Sequence, residues 1–283
     1  MAAPAVCYVL ALGLYPLLRG IGYSFYDYNL LQPARAHFVG LGNYRDLLGD
    51  DEMRRALLNT ALFTVSAVAI ELTLGLLIAL ALWRDDRFNR LCLTLLLVPV
   101  TITPLAVGLI FKGLLLADYG LVGYWLAQGG LSPRGLFATS ATALPTLVFV
   151  DVWEWTPLTA LILLAGLKAL PTDLLEAAAV DGAGAVRRLR KIILPLMLPA
   201  ILLALTLRTI DAFRVFDIVF VTTAGGPGDA TTTLMLLAVK EGLSFFDIGR
   251  ASAIANSMLL CIAAIAAVYI ALIRGADRRA NGR

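Results

Sequence analysis

The sequence predicts an all-α integral membrane protein with six transmembrane helices. Three observations carry that prediction. Hydrophobic residues make up 60% of the chain and charged residues only 15%, a balance far from that of soluble domains. The mean hydropathy is +0.84. Six separate runs approach or exceed the roughly 20 apolar residues that a helix needs to cross about 30 Å of hydrocarbon. They fall at 5–25, 57–83, 91–116, 141–167, 200–221 and 253–273.

The first run reads as a retained helix and not as a cleaved signal peptide. No basic stretch precedes it, no small-residue cleavage pattern follows it, and Pro16 and Arg19 sit late in it. The next loop holds Phe38-Val-Gly-Leu-Gly-Asn-Tyr44, a glycine turn flanked by aromatics suited to headgroup depth. Runs 57–83 and 91–116 are joined by a short basic stretch. Beyond them, Asp118-Tyr-Gly-Leu-Val-Gly-Tyr-Trp125 mixes turn residues with a short amphipathic segment expected along the interface. Run 141–167 contains Pro157, where a kink is expected. After run 200–221, Thr222-Thr-Ala-Gly-Gly-Pro-Gly-Asp229 cannot continue a helix; 231–246 reads as a short helix returning towards the membrane. The chain thus divides into a first helix with its outer loop (1–56), a five-helix block (57–273) with a long polar loop at 169–199, and a tail (274–283). No internal repeat is visible, including the inverted repeats of many secondary transporters.

Basic residues set the orientation. Arg84, Arg87, Arg90, Lys168, Arg187, Arg188, Arg190, Lys191, Arg274, Arg278, Arg279 and Arg283 fall on one side, twelve in all. The other side holds seven: Arg35, Arg45, Arg54, Arg55, Arg134, Lys240 and Arg250. With an even number of spans, both termini and the 169–199 loop are expected in the cytoplasm. Cys7, Cys92 and Cys261 all lie in apolar runs without metal or redox spacing and read as buried structural thiols. The single histidine, His37, is in an outer loop, so no metal site is expected. Nothing supports nucleic-acid binding.

The 169–199 loop is the least membrane-like stretch of the five-helix block. Thr172, after Pro171, is a plausible N-cap, and Asp173 and Glu176 place negative charge where the helix dipole favours it. Ala177, Ala178 and Ala179 give a helical surface that another protein can approach closely. Gly182 and Gly184 then break the helix. A second segment carries Arg187, Arg188, Arg190 and Lys191 to the membrane edge, where Pro195 and Pro199 bracket the start of the next span. Read blandly, the basic residues only satisfy topology and anionic lipid.

The spacing of that loop says more. Glu176-Ala-Ala is followed by Asp181-Gly182-Ala183, nine residues separate Gly182 from Ile192, and Leu194-Pro195 closes the pattern. This resembles the EAA signature of permease subunits in ATP-binding-cassette (ABC) importers, with Leu189 where many relatives have Phe. The resemblance extends to 38–44, to Asp118-Tyr-Gly-Leu, to Leu164-Ala-Gly-Leu and to 213–227, and so covers nearly the whole chain. Arg208-Thr-Ile-Asp-Ala-Phe-Arg-Val-Phe-Asp217 looks closest to the carbohydrate-uptake branch, the trehalose and maltose systems in particular.

The resemblance implies a type I ABC importer transmembrane fold in the bacterial cytoplasmic membrane. In it, Glu176, Ala177, Ala178, Asp181, Gly182, Ala183, Leu189, Ile192, Leu194 and Pro195 would couple the chain to an ATPase. No Lys follows a Gly anywhere, so the phosphate-cradling loop is absent and the chain is not itself an ATPase. The implied partners are a cytoplasmic ABC ATPase dimer that uses ATP and Mg, a second and distinct permease subunit, an extracytoplasmic sugar-binding protein, and membrane lipid. No cofactor is expected on this chain. The implied mechanism is alternating access, and the implied cargo is a carbohydrate such as trehalose or maltose. Importers of glycerol-phosphate-type solutes look similar. An ion-coupled secondary transporter leaves the signature loop unexplained, and an intramembrane enzyme lacks a nucleophile–base cluster.

Glu71, Asp151, Glu154, Arg208, Asp211, Arg214 and Asp217 fall within or near the ends of apolar runs, where each costs about 2.5–3.5 kcal/mol at a helix centre and so needs a cavity or a partner. Arg208, Asp211, Arg214 and Asp217 alternate in sign at steps of three, which allows i, i+3 pairing. They form either a structural ion-pair ladder or the lining of an aqueous path, with Asp211, Arg214 and Asp217 the candidates for the path. Trp153, Trp155 and Thr156, beside Pro157, could supply aromatic faces and a hydroxyl to a sugar, or the tryptophans could be interface-belt residues. Asn256 could bond a sugar hydroxyl or join two helices, and Glu71 reads as a packing partner.

Overall fold

The computed structural model describes residues 8, 10–130, 132 and 134–281. Cys7 and the side chain of Ala177 lie outside the described residues. Among the described residues, three helices are long and apolar enough to cross a membrane alone. Helix α1 (Tyr15–Tyr23) leads, with a π-turn at Leu10–Leu14 before it. A two-stranded hairpin of β1 (Tyr26–Asp27) and β2 (His37–Phe38) and the short α2 (Gly42–Gly49) precede the first long helix, α3 (Asp51–Ala81). That helix starts where the Asp50 carboxylate accepts a hydrogen bond from the Glu52 amide (2.7 Å), a side-chain N-cap.

The run expected at 91–116 as one helix is instead two, α4 (Arg87–Leu96) and α5 (Pro104–Leu115), bent by 93°. Pro99 starts a 3₁₀ turn and Pro104 forces the residues before it out of helical geometry: Ile102 and Thr103 are extended, with ψ of 139° and 142°. The amphipathic α6 (Leu121–Gln128) follows, then α7 (Ser140–Lys168), which keeps its helix through Pro145 and Pro157. The polar loop contains α8 (Thr172–Val180) and α9 (Ala185–Arg188).

The run expected at 200–221 is entered through a bend and broken once within. Pro199 has no N–H to continue the ladder, and the chain bends by 67° before α10 (Leu198–Phe213). The break at Arg214, Val215 and Phe216 separates α10 from α11 (Asp217–Thr222). The third outer connection returns through α12 (Leu234–Val239), N-capped by Thr233, and a π-turn at Lys240–Ser244. The last long helix is α13 (Ile248–Asn281). By length and composition the described residues supply three unbroken spans and five if each bent pair counts as one. The first expected run, 5–25, starts outside the described residues.

Packing is tightest where side chains are smallest. A Cβ on Gly75 of α3 would lie 3.1 Å from the Ala160 amide of α7, and one on Gly166 of α7 would collide with the Ala200 Cβ. Small residues let membrane helices approach closely where water drives nothing together. The buried residues form three layers. One end gathers Leu47, Ala56, Phe213, Leu237 and Ile254; the middle gathers Phe63, Leu147, Val150, Ile218 and Val219. The other end gathers Ala79, Leu163, Leu167, Ile193 and Met197.

The two ends carry different loops. Asn29 bridges to Asp247, and the Asn59 amide donates to the carbonyls of Asp229 (2.9 Å) and Thr232 (3.0 Å), so the hairpin and the glycine-rich turn share one end. Trp83, Leu93, Leu170 and Leu189 pack at the opposite end, which joins the 84–90 and 169–199 connections. Cys92 and Cys261 are free thiols, half-buried where full burial was expected, because each helix presents that face partly outwards.

Candidate functional site: a buried ion cluster and a polar cavity at two helix breaks

A single arginine organises the centre. Arg208 on α10 is 2% exposed. Its Nε and Nη2 donate to the two oxygens of Glu71 on α3 at 2.6 and 2.9 Å, its Nη2 donates to Asp151 on α7 at 2.8 Å, and its Nη1 donates to Asp211 at 2.6 Å. The bidentate Glu71 contact is the strongest geometry open to a guanidinium. Its charge also sits 4.9 Å from the Trp155 ring centroid, a cation–π contact. Three helices are therefore tied at one point. The sign-alternating ladder expected along α10 is only partly formed. Arg208 meets Asp211, but Arg214 lies 3.9 Å from Asp211, and Asp217 belongs to the next helix because the backbone leaves helical geometry between them.

Beside the cluster lies a cavity of about 80 Å³. Asp151, Glu154, Trp155, Asp211, Arg214 and Asp217 supply its polar wall. Pro104, Val215 and Phe216 also line it, so the bend before α5 and the break between α10 and α11 meet there. Non-helical backbone at membrane depth is tolerated only inside protein or along a water-filled path. Glu154 is 1% exposed and its Oε2 is buried with no hydrogen-bond partner among the described residues.

The candidates from sequence divide. Asp211, Arg214 and Asp217 line the cavity. Trp153 does not; it points outwards, 40% exposed, edge-on to Phe111 at 5.2 Å. Trp155 takes the inner place, because residues 151, 154 and 155 share one helix face while 153 lies across from it. Both tryptophans and Glu154 were visible in the sequence, and their spacing from Asp151 was the signal that separates the inward Trp155 and Glu154 from the outward Trp153. Thr156 is buried next to Pro157, and its hydroxyl has no partner among the described residues. Asn256 stands elsewhere, its amide donating to the Tyr44 hydroxyl (3.3 Å), which in turn meets Ser24 (2.8 Å). Glu71 is fully buried in the Arg208 cluster.

The polar loop forms two short helices joined at Gly182, whose φ of +74° suits glycine. The Ala183 amide closes back on the Ala178 carbonyl (3.0 Å). Glu176, Asp181, Gly182 and Pro195 are exposed, Ala178 is buried, and Ala183, Ile192 and Leu194 are half-buried. Leu189 packs half-buried against the chain's own helix ends, with Ile193 and Met197, and so does not stand on the outward surface. Among the described side chains of these two helices, the large exposed apolar residues are Leu174, Val180 and Val186, at 49%, 87% and 66%.

Residues 71–282 match the family described as binding-protein-dependent transport system inner membrane component. The chain belongs to this family. A probable ABC transporter permease from Sinorhizobium fredii, y4oQ, is 38% identical over 279 residues, 98% of this chain and 89% of that protein. The trehalose transport system permease SugA of Mycobacterium tuberculosis is 36% identical over 282 residues, 98% of this chain and 88% of that one. Among solved structures, a bacterial ABC transporter involved in import of the acidic polysaccharide alginate superposes with a TM-score of 0.81. It is 19% identical and covers 96% of this chain and 92% of that chain, so it supports the fold alone. In this inner membrane family the cluster and cavity lie on helices within or adjoining the matched region, and the polar loop lies wholly inside it.

Proposed function

We propose that this chain is a permease subunit of a binding-protein-dependent ABC importer for a sugar, a disaccharide such as trehalose or maltose. The meeting of two helix breaks at a carboxylate-walled cavity, beside an ion cluster that ties three helices, supports a solute path there. The cavity is about 80 Å³, well below the roughly 300–1,000 Å³ of ligand pockets. Its residues therefore act as one wall, and a second permease completes the path. A cytoplasmic ATPase dimer, charged with ATP and Mg, engages the polar loop. An extracytoplasmic binding protein delivers sugar at the opposite end. The chain sits in a bacterial cytoplasmic membrane with both termini inside, as its basic residues suggest.

In this reading the α8–α9 loop converts ATPase closure into movement. Glu176, Ala177, Ala178, Asp181, Gly182 and Ala183 form its tip, and Leu189, Ile192, Leu194 and Pro195 carry the displacement into the bent start of α10. The Arg208 cluster keeps α3, α7 and α10 moving together, so loop motion reaches the cavity wall.

Two outcomes are expected. Proteoliposomes holding all partners should accumulate sugar only with ATP, and accumulation driven by an ion gradient without ATP would refute the importer. Gly182→Leu should lower that uptake about tenfold at equal membrane content. No atom lies within 4 Å of a Cβ placed there, so the cost is conformational, about 1–2 kcal/mol for a left-handed residue with a side chain. Normal uptake by Gly182→Leu would remove the turn from the mechanism.

A further inference from the structure

The cavity wall is short of positive charge, and from this we infer that the solute it passes is uncharged: a neutral polyhydroxyl compound, with phosphorylated, sulfonated and uronate sugars excluded. The inference rests on the sugar-permease reading above and narrows its cargo.

Four carboxylates line the cavity, Asp151, Glu154, Asp211 and Asp217, against one guanidinium, Arg214. The neighbouring Arg208 partly offsets Asp151 and Asp211, but it is saturated by them and by Glu71, all within 2.9 Å, and has nothing left for an incoming anion. Arg214 faces Asp211 at 3.9 Å. Glu154 and Asp217 have no ion-pair partner among the described residues. An anion entering this wall would meet more acidic than basic side chains, with no free cation among the described wall residues to receive it. Sites that hold anionic sugars place arginine forks or free helix N-termini against the charge. Here the helix that starts at the cavity, α11, has Asp217 itself in its first turn, so its positive end already faces a carboxylate.

Glu154 points to the opposite kind of ligand. It is almost completely buried, and its Oε2 accepts no hydrogen bond among the described residues. A buried acceptor without a donor is costly, and a sugar hydroxyl supplies that donor without adding charge. Trp155, also on the wall with Arg208 held 4.9 Å from its ring centroid, adds aromatic surface of the kind that suits the C–H groups of a pyranose.

The test uses the complete transporter in proteoliposomes with its binding protein, offered an equimolar pool and ATP. The pool contains trehalose, maltose, sucrose, trehalose 6-phosphate, sn-glycerol 3-phosphate and digalacturonate, and the lumen is read by mass spectrometry. Neutral members should accumulate at least tenfold over any anionic member. Accumulation of an anion within threefold of the best neutral sugar overturns the inference and leaves the sugar importer standing. ATP-dependent accumulation of nothing counts against the importer reading itself, and the charge inference falls with it. To locate the discrimination in this wall, Asp217→Asn is compared with wild type. Asp217 is exposed, so the amide removes charge without burying a new group, and the anion-to-neutral ratio should rise at least fivefold. Glu154→Gln provides a second, independent neutralisation at a buried site. An unchanged ratio in both variants overturns the assignment to this cavity.

Discussion

Arg208→Met is expected to prevent accumulation of a stable permease. The substitution leaves Glu71 and Asp151, 0% and 4% exposed, facing each other inside the helix bundle with no cation between them. Removing one partner of a buried ion cluster costs about 3–5 kcal/mol, because the remaining charge stays desolvated. That loss is a large fraction of the roughly 5–15 kcal/mol by which native domains are stable. The apolar replacement alone is not the cause, since well-packed apolar residues often replace complete buried ion sets at little cost. The triple variant Arg208→Met, Glu71→Gln, Asp151→Asn should therefore recover much of the lost stability. Fluorescence-detected size-exclusion chromatography after a heating series reads both effects. A wild-type melting profile for Arg208→Met would show that the cluster does not hold the helices together. Recovery of the fold without recovery of uptake would assign the charges a further part in transport.

Val180→Asp is expected to cut ATP-driven uptake at least tenfold while the permease folds normally. Val180 is 87% exposed at the end of α8, with Val186 66% exposed across the glycine turn. An apolar pair on a loop rich in exposed arginine and lysine is costly in water and suited to a partner's pocket. Central apolar contacts dominate binding energy in protein interfaces, whereas exposed substitutions usually change folding by less than about 0.5 kcal/mol. The measurement pairs co-purification of the ATPase with uptake in proteoliposomes. Full ATPase recovery together with full uptake would move the docking surface away from this edge. Leu189 is not the equivalent target, because its side chain is packed against Ile193 and Met197.

The two predictions differ in how far they could be read from the chain alone. The loop that carries Val180 announced itself by local signals: a cap position, an alanine run, two glycines and a fixed distance to Leu194-Pro195. The Arg208 cluster did not. Its charges were visible as intramembrane residues, but i, i+3 spacing suggested Asp211 and Arg214 as partners along one helix. The packed bundle keeps the Arg208–Asp211 contact and adds Glu71 and Asp151, 137 and 57 positions away. Pro104 stands in plain view inside a run that reads as one helix, and Pro199 reads only as the entry to the next span; their bends emerged in the packed structure. Nothing local marked the break at Arg214, Val215 and Phe216, where the Val215 carbonyl accepts from Thr233 (3.1 Å) in another segment.

By itself the sequence determined the membrane class, the order of apolar segments, the polar loop and the family. These follow from the length of apolar runs and from residues close together in the chain, and short-range chemistry is written directly in order and spacing. Only the tertiary structure decided which carboxylates share Arg208, that Trp155 and not Trp153 faces the cavity, and that Val180 and not Leu189 stands exposed. Those outcomes depend on how helices rotate and approach one another. A rotation of one residue, about 100° around the helix, exchanges wall for lipid without changing a letter of the sequence.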